Sequence, residues 1–242
     1  MIEELPVVRP VVRIVGTSHV AHESTLRIKK AAAEFQPTHI AVELDRQRLI
    51  ALRDRAKDPV SVRKRPPLSL AKQVGTTGYL FLLIAGWVQR KAGDILKVEP
   101  GLDMLAAVEL ARDSKLPLAL VDQDVRVTLK RISTLFTRRE KFRLLGDVLT
   151  APFSKRNKEL AKRVRLDRVP SDKVVKELLK ELETRYPGLH RALVTERNIY
   201  MCARVDAIAR ANPGARILLV IGAAHQEDIE KRMRAIGTVT VA

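Results

Sequence analysis

PVVRIVGTSH, residues 10–19, decides how the rest of the chain is read. Pro10 to Val15 is rich in Val and Ile, the composition of a strand buried on both faces of a parallel sheet. It runs into GTSH. A helix is expected from about Ser24 to Phe35, broken by Pro37 and Thr38, and HIAVEL, His39 to Leu44, reads as a second strand. Strand, helix and strand at this spacing form a βαβ unit, whose two strands lie parallel. LPLALV, Leu116 to Val121, is a third strand. RILLVI, Arg216 to Ile221, is a fourth and runs into GAAH.

The segments between these strands carry helical patterns. Asp103 to Lys115 has an apolar stripe, and Ser171 is a plausible N-cap for DKVVKELLKELETRY. RKRPP, residues 63–67, is a breaker. The expected fold class is therefore α/β: a mostly parallel central sheet with long helical insertions at about 50–100 and 127–210.

Composition supports a packed core. Hydrophobic residues make up 46% of the 242 residues and aromatics only 4%, so the core must be built from Val, Leu, Ile and Ala. The lone cysteine, Cys202, excludes an internal disulfide and reads as a small buried hydrophobe in the helix NIYMCARVDAIAR. MIEELPVVRP lacks the features of a signal peptide, so a cytoplasmic location is expected. YLFLLIAGWV, Tyr79 to Val88, is shorter than the roughly 20 residues needed to span a bilayer. It reads as a core helix or a homodimer interface anchored by Tyr79, Phe81 and Trp87; the alternative is a helix resting on a membrane surface.

The formal charge is +17, and Arg126 to Arg168 holds 14 Lys or Arg against 4 Asp or Glu. Such a stretch could meet anionic lipid, an acidic peptide or nucleic acid. The lack of an aromatic stacking platform weighs against nucleic acid and toward a solvated helical surface.

Chemistry-bearing residues collect where the strands end: Thr17, Ser18 and His19; Glu43 and Asp45; Asp122 and Asp124; His225. In open parallel sheets, ligands bind beyond the carboxyl ends of the strands. IVGTSH and VIGAAH end alike, with glycine three residues before histidine. The glycine is expected to let the chain turn tightly, and the loop to present the histidine outside the core. Two imidazoles and a carboxylate, His19, His225 and Glu43, suit a divalent metal with open positions. Without metal the same groups could act as base and acid, or each histidine could cap its own loop. His22 is a secondary candidate, and His39 begins a strand away from this edge.

GTSHVAHES (16–24), PTHIAVELDRQRL (37–49), PGLDMLAAVELA (100–111), LVDQDVRVTLKRI (120–132), LVTERNIYM (193–201) and VIGAAH (220–225) together resemble the TraB/PrgY family, related to the Tiki and GumN proteins. The resemblance covers nearly the whole chain and implies one TraB-like domain over residues 1–242, with a Tiki/EreA/ChaN-like fold. It implies His19, Glu43 and His225 as ligands of manganese, cobalt or zinc. It raises Glu196 and Arg197 to catalytic candidates beside Glu43. It also marks Thr17, Ser18, Asp122, Arg126 and Tyr200 as candidate substrate-binding residues. Relatives are regarded as metal-dependent peptidases or as proteins that limit peptide-pheromone activity, so the implied substrate or ligand is a peptide.

Two positions depart from the family pattern. The usual Asp-Arg-Asp is Asp122-Gln123-Asp124, and the usual Glu-Arg-Asp is Glu196-Arg197-Asn198. If positions 123 and 198 normally pair, the double change is neutral; Arg126 could also replace the lost charge. Many members carry a carboxyl-terminal membrane region, whereas this sequence stops at Ala242. It is read as a naturally shorter form or as a piece of a longer, membrane-associated protein. Two functions are expected from the whole: a metal-dependent hydrolase, or a protein that sequesters a peptide without cleaving it.

Overall fold

The structure is a computed structural model and describes residues 9–17, 21–57, 66–96, 101–150 and 172–242. Five strands, β1 (Val11–Thr17), β2 (His39–Val42), β3 (Leu118–Leu120), β4 (Arg216–Gly222) and β5 (Thr240–Val241), form one sheet in the order β3-β2-β4-β1-β5. Every pairing is parallel. The four expected strands are all present, and β5 adds a short edge. β1 and β2 do lie parallel, but they are not neighbours, because β4 is inserted between them.

The composition of β4 explains its central place. Ile217, Leu218, Leu219, Val220 and Ile221 are all 0% exposed, which requires cover on both faces. Alternation sends Ile217, Leu219 and Ile221 to one face, where they pack with Met201, Val205, Ile229 and Met233. Leu218 and Val220 point the other way and pack with Ile28, Phe35, Met104 and Val108.

Helices α1 (Ala21–Phe35), α2 (Arg46–Lys57) and α4 (Leu102–Asp113) cover that second face. Between α2 and α4 runs α3 (Ser69–Leu96), broken at Gly75, whose φ of 80° and ψ of 157° are not helical. A side chain there would meet Ser133 Oγ at 2.6 Å.

The region between β3 and β4 is mainly helical where it is described, as expected. It holds α5 (Val125–Leu135), α6 (Arg138–Thr150), α7 (Asp172–Arg185), α8 (Pro187–His190), a π turn (Arg191–Thr195) and α9 (Glu196–Ala211). Helix α10 (Ala223–Ile236) follows β4 and joins α9 on the first face. A separate cluster around Val74, Leu129, Ile132, Phe136 and Ala192 ties α3, α5 and the π turn together.

Tyr79, Phe81 and Leu82 turn inward onto this cluster, while Leu80 and Ile84 on the same helix are 57% and 51% exposed. Ser171, residues 63–65 and the side chain of Trp87 lie outside the described residues. Among the described residues, no helix is long and apolar enough to cross a membrane. Cys202 is 3% exposed, and burial pushes its thiol up to about 11, so it packs as a hydrophobe.

Candidate active site

Glu43 directly follows β2, Asp122 follows β3 closely, and His225 lies in the first turn of α10 after β4. The parallel sheet brings all three to its carboxyl edge. Arg197, near the start of α9, reaches into the middle of them. Its Nε and Nη2 donate to Asp122 Oδ1 and Oδ2 at 3.0 and 2.7 Å, a bidentate pair. The same Nη2 donates to Glu43 Oε1 at 2.5 Å. Nη1 donates to Leu193 O at 3.1 Å, a carbonyl of the π turn, and lies 3.2 Å from His225 Nε2. Wide π turns often mark functional sites.

The histidine's protonation follows from its other nitrogen. Nδ1 lies 2.6 Å from Asn198 Oδ1, while Asn198 Nδ2 donates to Asp228 Oδ2 at 2.7 Å. A carboxylate only accepts, so it fixes the amide with its oxygen toward the ring. Nδ1 therefore carries the proton, and the Nε2 lone pair points into the site. Glu43 Oε1 is 3.3 Å from Nε2. Two lone-pair atoms at that distance need positive charge between them, and the Arg197 guanidinium supplies it here.

Burial lowers the pKa of His225 and the Arg197 charge lowers it further, against the pull of Glu43 and Asp122. The ring is therefore neutral at pH 7. Burial by itself would raise Glu43, but interaction with His225 whenever that ring is protonated, the Arg197 charge and the Gly222 N–H, which donates to Oε2 at 2.6 Å, bring it below the usual carboxylate range. With His225 neutral, Arg197 and the Gly222 amide are what keep Glu43 ionised. Asp122, whose side chain is 0% exposed, is likewise held down against burial by Arg197 and Arg48. Arg197 is raised well above its ordinary value, because Glu43 and Asp122 outweigh the burial that would lower it. Arg197 and Arg48 thus hold the carboxylates of Glu43, Asp122 and Asp45 in a nearly closed site.

Other expected residues fall around or away from this centre. Thr17 is fully buried and its hydroxyl donates to Ile221 O at 3.3 Å, bracing β1 against β4. Glu196 faces away and pairs with Arg131 at 2.6 Å and Arg191 at 3.2 Å. Arg126, expected to replace the charge lost at Gln123, is bound to Asp124, the N-cap of α5. Tyr200 is 40% exposed, outside the Arg197 network. Ser18 and His19 lie outside the described residues.

Arg48 and Asp228 join the site without having been singled out for it, and Asn198, noted only as a departure from the family pattern, takes a direct part. Arg48 donates to Asp122 and to Asp45. Asn198 and Asp228 orient His225. Arg48 sits in the quoted motif LDRQRL, three residues after the Asp45 that caps α2, so its spacing was the available signal. Gln123 donates to Thr128 Oγ1 at 3.1 Å, whereas Asn198 serves His225, so each altered position has a partner of its own.

The glycines act differently from expectation. Gly222 has an ordinary φ of −63°, and Gly16 is not among the positive-φ residues. Gly16 instead leaves room for the Gln226 side chain: a Cβ would lie 2.1 Å from Gln226 Oε1, so any larger residue would have to displace that amide. The histidine is not loop-presented either, since His225 is helical and 6% exposed.

Among the described residues, no group of three or more His, Cys, Asp or Glu is arranged to hold a metal ion. The chemistry of the two described donors nevertheless suits one: an ionised carboxylate oxygen and a neutral imidazole nitrogen converge, and the ring's other nitrogen is held by a hydrogen-bonded partner. A cation there would have to share or take the space that Arg197 fills.

Comparison with known proteins points the same way as the motifs. The model of the TraB/PrgY/gumN family matches residues 9–235. An uncharacterized protein of Methanocaldococcus jannaschii is 28% identical over 223 residues, covering 92% of this chain and 53% of its own length. A human TraB domain-containing protein is 28% identical over 244 residues, covering 91% of this chain and 62% of its own. The mouse protein of the same name is 27% identical with the same coverage. The chain therefore spans between about half and three fifths of the length of these relatives.

Proposed function

This chain belongs to the TraB/PrgY/gumN family, and we propose that within it the chain is a metal-dependent hydrolase acting on peptides. The observation that carries this reading is the convergence of Glu43 Oε1 and His225 Nε2, 3.3 Å apart, with the histidine tautomer that leaves Nε2 unprotonated, its lone pair now facing Arg197. Glu43, His225 and His19 would hold a divalent manganese, cobalt or zinc. When bound, such an ion polarises a carbonyl and lowers the pKa of water to about 7.

The protein's own groups have separate tasks. Asn198, fixed by Asp228, keeps the His225 ring in one tautomer and one orientation. Asp122 anchors Arg197 through two hydrogen bonds, so the guanidinium stays at the site when Glu43 is otherwise engaged. Its edge toward His225 then offers N–H donors to a carbonyl oxygen that becomes negative in acyl transfer. Glu43, ionised and desolvated, can orient the attacking water.

A second reading has one observation in its favour: Arg197 already satisfies Glu43, Asp122 and His225 together. A site closed in this way suits a protein that sequesters a peptide without cleaving it. Metal analysis of chelator-free protein, paired with a peptide-library cleavage assay, separates the two. Bound divalent metal with chelator-sensitive cleavage supports the hydrolase. Neither metal nor cleavage overturns it and leaves sequestration.

A further inference from the structure

Helix α6 is amphipathic in the reverse of the usual sense. Phe142, Leu145 and Leu149 fall within roughly 60° of one another on a 3.6-residue helix, and they are 73%, 55% and 65% exposed. The opposite side carries the helix's two acids, and both are taken up by inward contacts. Glu140 is 4% exposed and accepts from Thr137 N at 2.8 Å and Gly188 N at 2.7 Å. Asp147 accepts from Arg185 Nη2 at 2.5 Å and also from the Tyr186 hydroxyl. The polar side of α6 is thus its inner side, and the apolar side looks outward.

The charge around the apolar stripe has one sign. Arg138 lies on the same side as Phe142, and Arg139 flanks it; both are exposed. Lys141, on the other flank, donates to Thr77 Oγ1 at 2.9 Å. The helix lies inside the stretch from Arg126 to Arg168, where 14 basic residues face 4 acidic ones.

We infer that α6 is a membrane-surface docking helix, which sets Phe142, Leu145 and Leu149 into the acyl boundary of an anionic bilayer while Arg138 and Arg139 meet the lipid headgroups. Two features select lipid over other occupants. The apolar side chains project from a convex helix, and an acyl layer conforms to such knobs without a preformed groove. The surrounding charge is cationic, as an anionic headgroup layer requires. Shallow seating of one helix face needs no spanning segment, consistent with the lack of one among the described residues.

The test is co-sedimentation of the whole chain with phosphatidylcholine vesicles, with and without about 30% phosphatidylserine, against Phe142→Ser/Leu145→Ser/Leu149→Ser, which leaves the net charge unchanged. Wild type is expected to bind the anionic vesicles and to keep part of that binding at high salt. The triple variant should lose at least about tenfold in partitioning and all of the salt-resistant part, with an unchanged thermal melt. If the triple variant melts early, Phe142→Ser alone, at the most exposed of the three positions, carries the comparison. Equal partitioning by wild type and variant would mean charge alone and overturns the inference. So does equal binding to neutral vesicles, or none to either. A wild-type dimer that the triple variant makes monomeric, with vesicle binding unaffected, would assign this face to a second copy and overturn it as well.

Discussion

Asn198 Oδ1 lies 2.6 Å from His225 Nδ1, and that contact determines which ring nitrogen faces the site. Replacing Asn198 with Asp, the residue usual in the family, puts a carboxylate against the ring and beside Asp228. The His225 pKa should then rise, because a neighbouring anion favours the imidazolium. Nitrogen chemical shifts of the imidazole across a pH series would show this directly. An unchanged titration would mean that Asn198 does not control the histidine.

Arg197 is the cation on which two buried carboxylates depend. Arg197→Met leaves Glu43 without its cation and Asp122 with Arg48 alone, and should cost about 3–5 kcal/mol in chemical denaturation. Arg197→Lys should recover part of this, since it restores the charge without the bidentate fork. If Arg197 and a metal compete for one space, the Met variant should bind manganese more tightly than wild type in calorimetric titration. Weaker or equal binding would show that they do not compete.

His225→Ala should abolish divalent-metal binding if His225 is a ligand, because an open site has few ligands to lose. The same change should also destabilise the fold by about 1–3 kcal/mol, since it orphans the buried Asn198 oxygen. An exposed loop histidine would have cost far less. Metal titration, and not the melt alone, therefore decides the histidine's role; equal affinity in wild type and variant would remove it from the ligand set.

Glu140 gives the helical region an acid-sensitive joint. Burial would raise its carboxyl, but donors from Thr137, Gly188 and Leu189 hold it below the usual range. A depressed native pKa adds stability that is present above the unfolded value, about 4.3, and is lost as pH falls through the native one. Glu140→Gln should therefore lower stability by about 1–3 kcal/mol at neutral pH, and the gap from wild type should close toward pH 3. Urea melts at several pH values check this; a gap independent of pH would contradict it.

The core makes a contrasting pair. Leu219→Ala, in the strand buried on both faces, should cost about 2–5 kcal/mol. Leu80→Ala, at a position 57% exposed, should stay within about 0.5 kcal/mol. A large loss at Leu80, disappearing on dilution, would indicate a contact between copies through α3.

Much of this was legible in the chain itself. VVRIV, HIAV, LAL and RILLVI are short apolar runs between turn signals, and their shortness and Val/Ile content read as strands in a covered sheet, whereas the longer YLFLLIAGWV is helical. That local rule located four strands and made them parallel. The rule that ligands sit at strand carboxyl ends placed Glu43, Asp122 and His225 together before any coordinate was available.

Strand order, by contrast, depends on which runs best tolerate the centre of the sheet, and only tertiary packing put β4 between β1 and β2. The same holds for the site's electrostatics. Arg197 and Glu43 are 154 residues apart, and no local pattern says that one guanidinium will reach Asp122, Glu43 and His225 at once. Likewise, α6 shows its apolar stripe in sequence, but which side faces outward was settled by Glu140 and Asp147 finding donors on neighbouring segments. Periodicity is a property of the chain. Partner choice among buried charges depends on distances that exist only once the helices have packed.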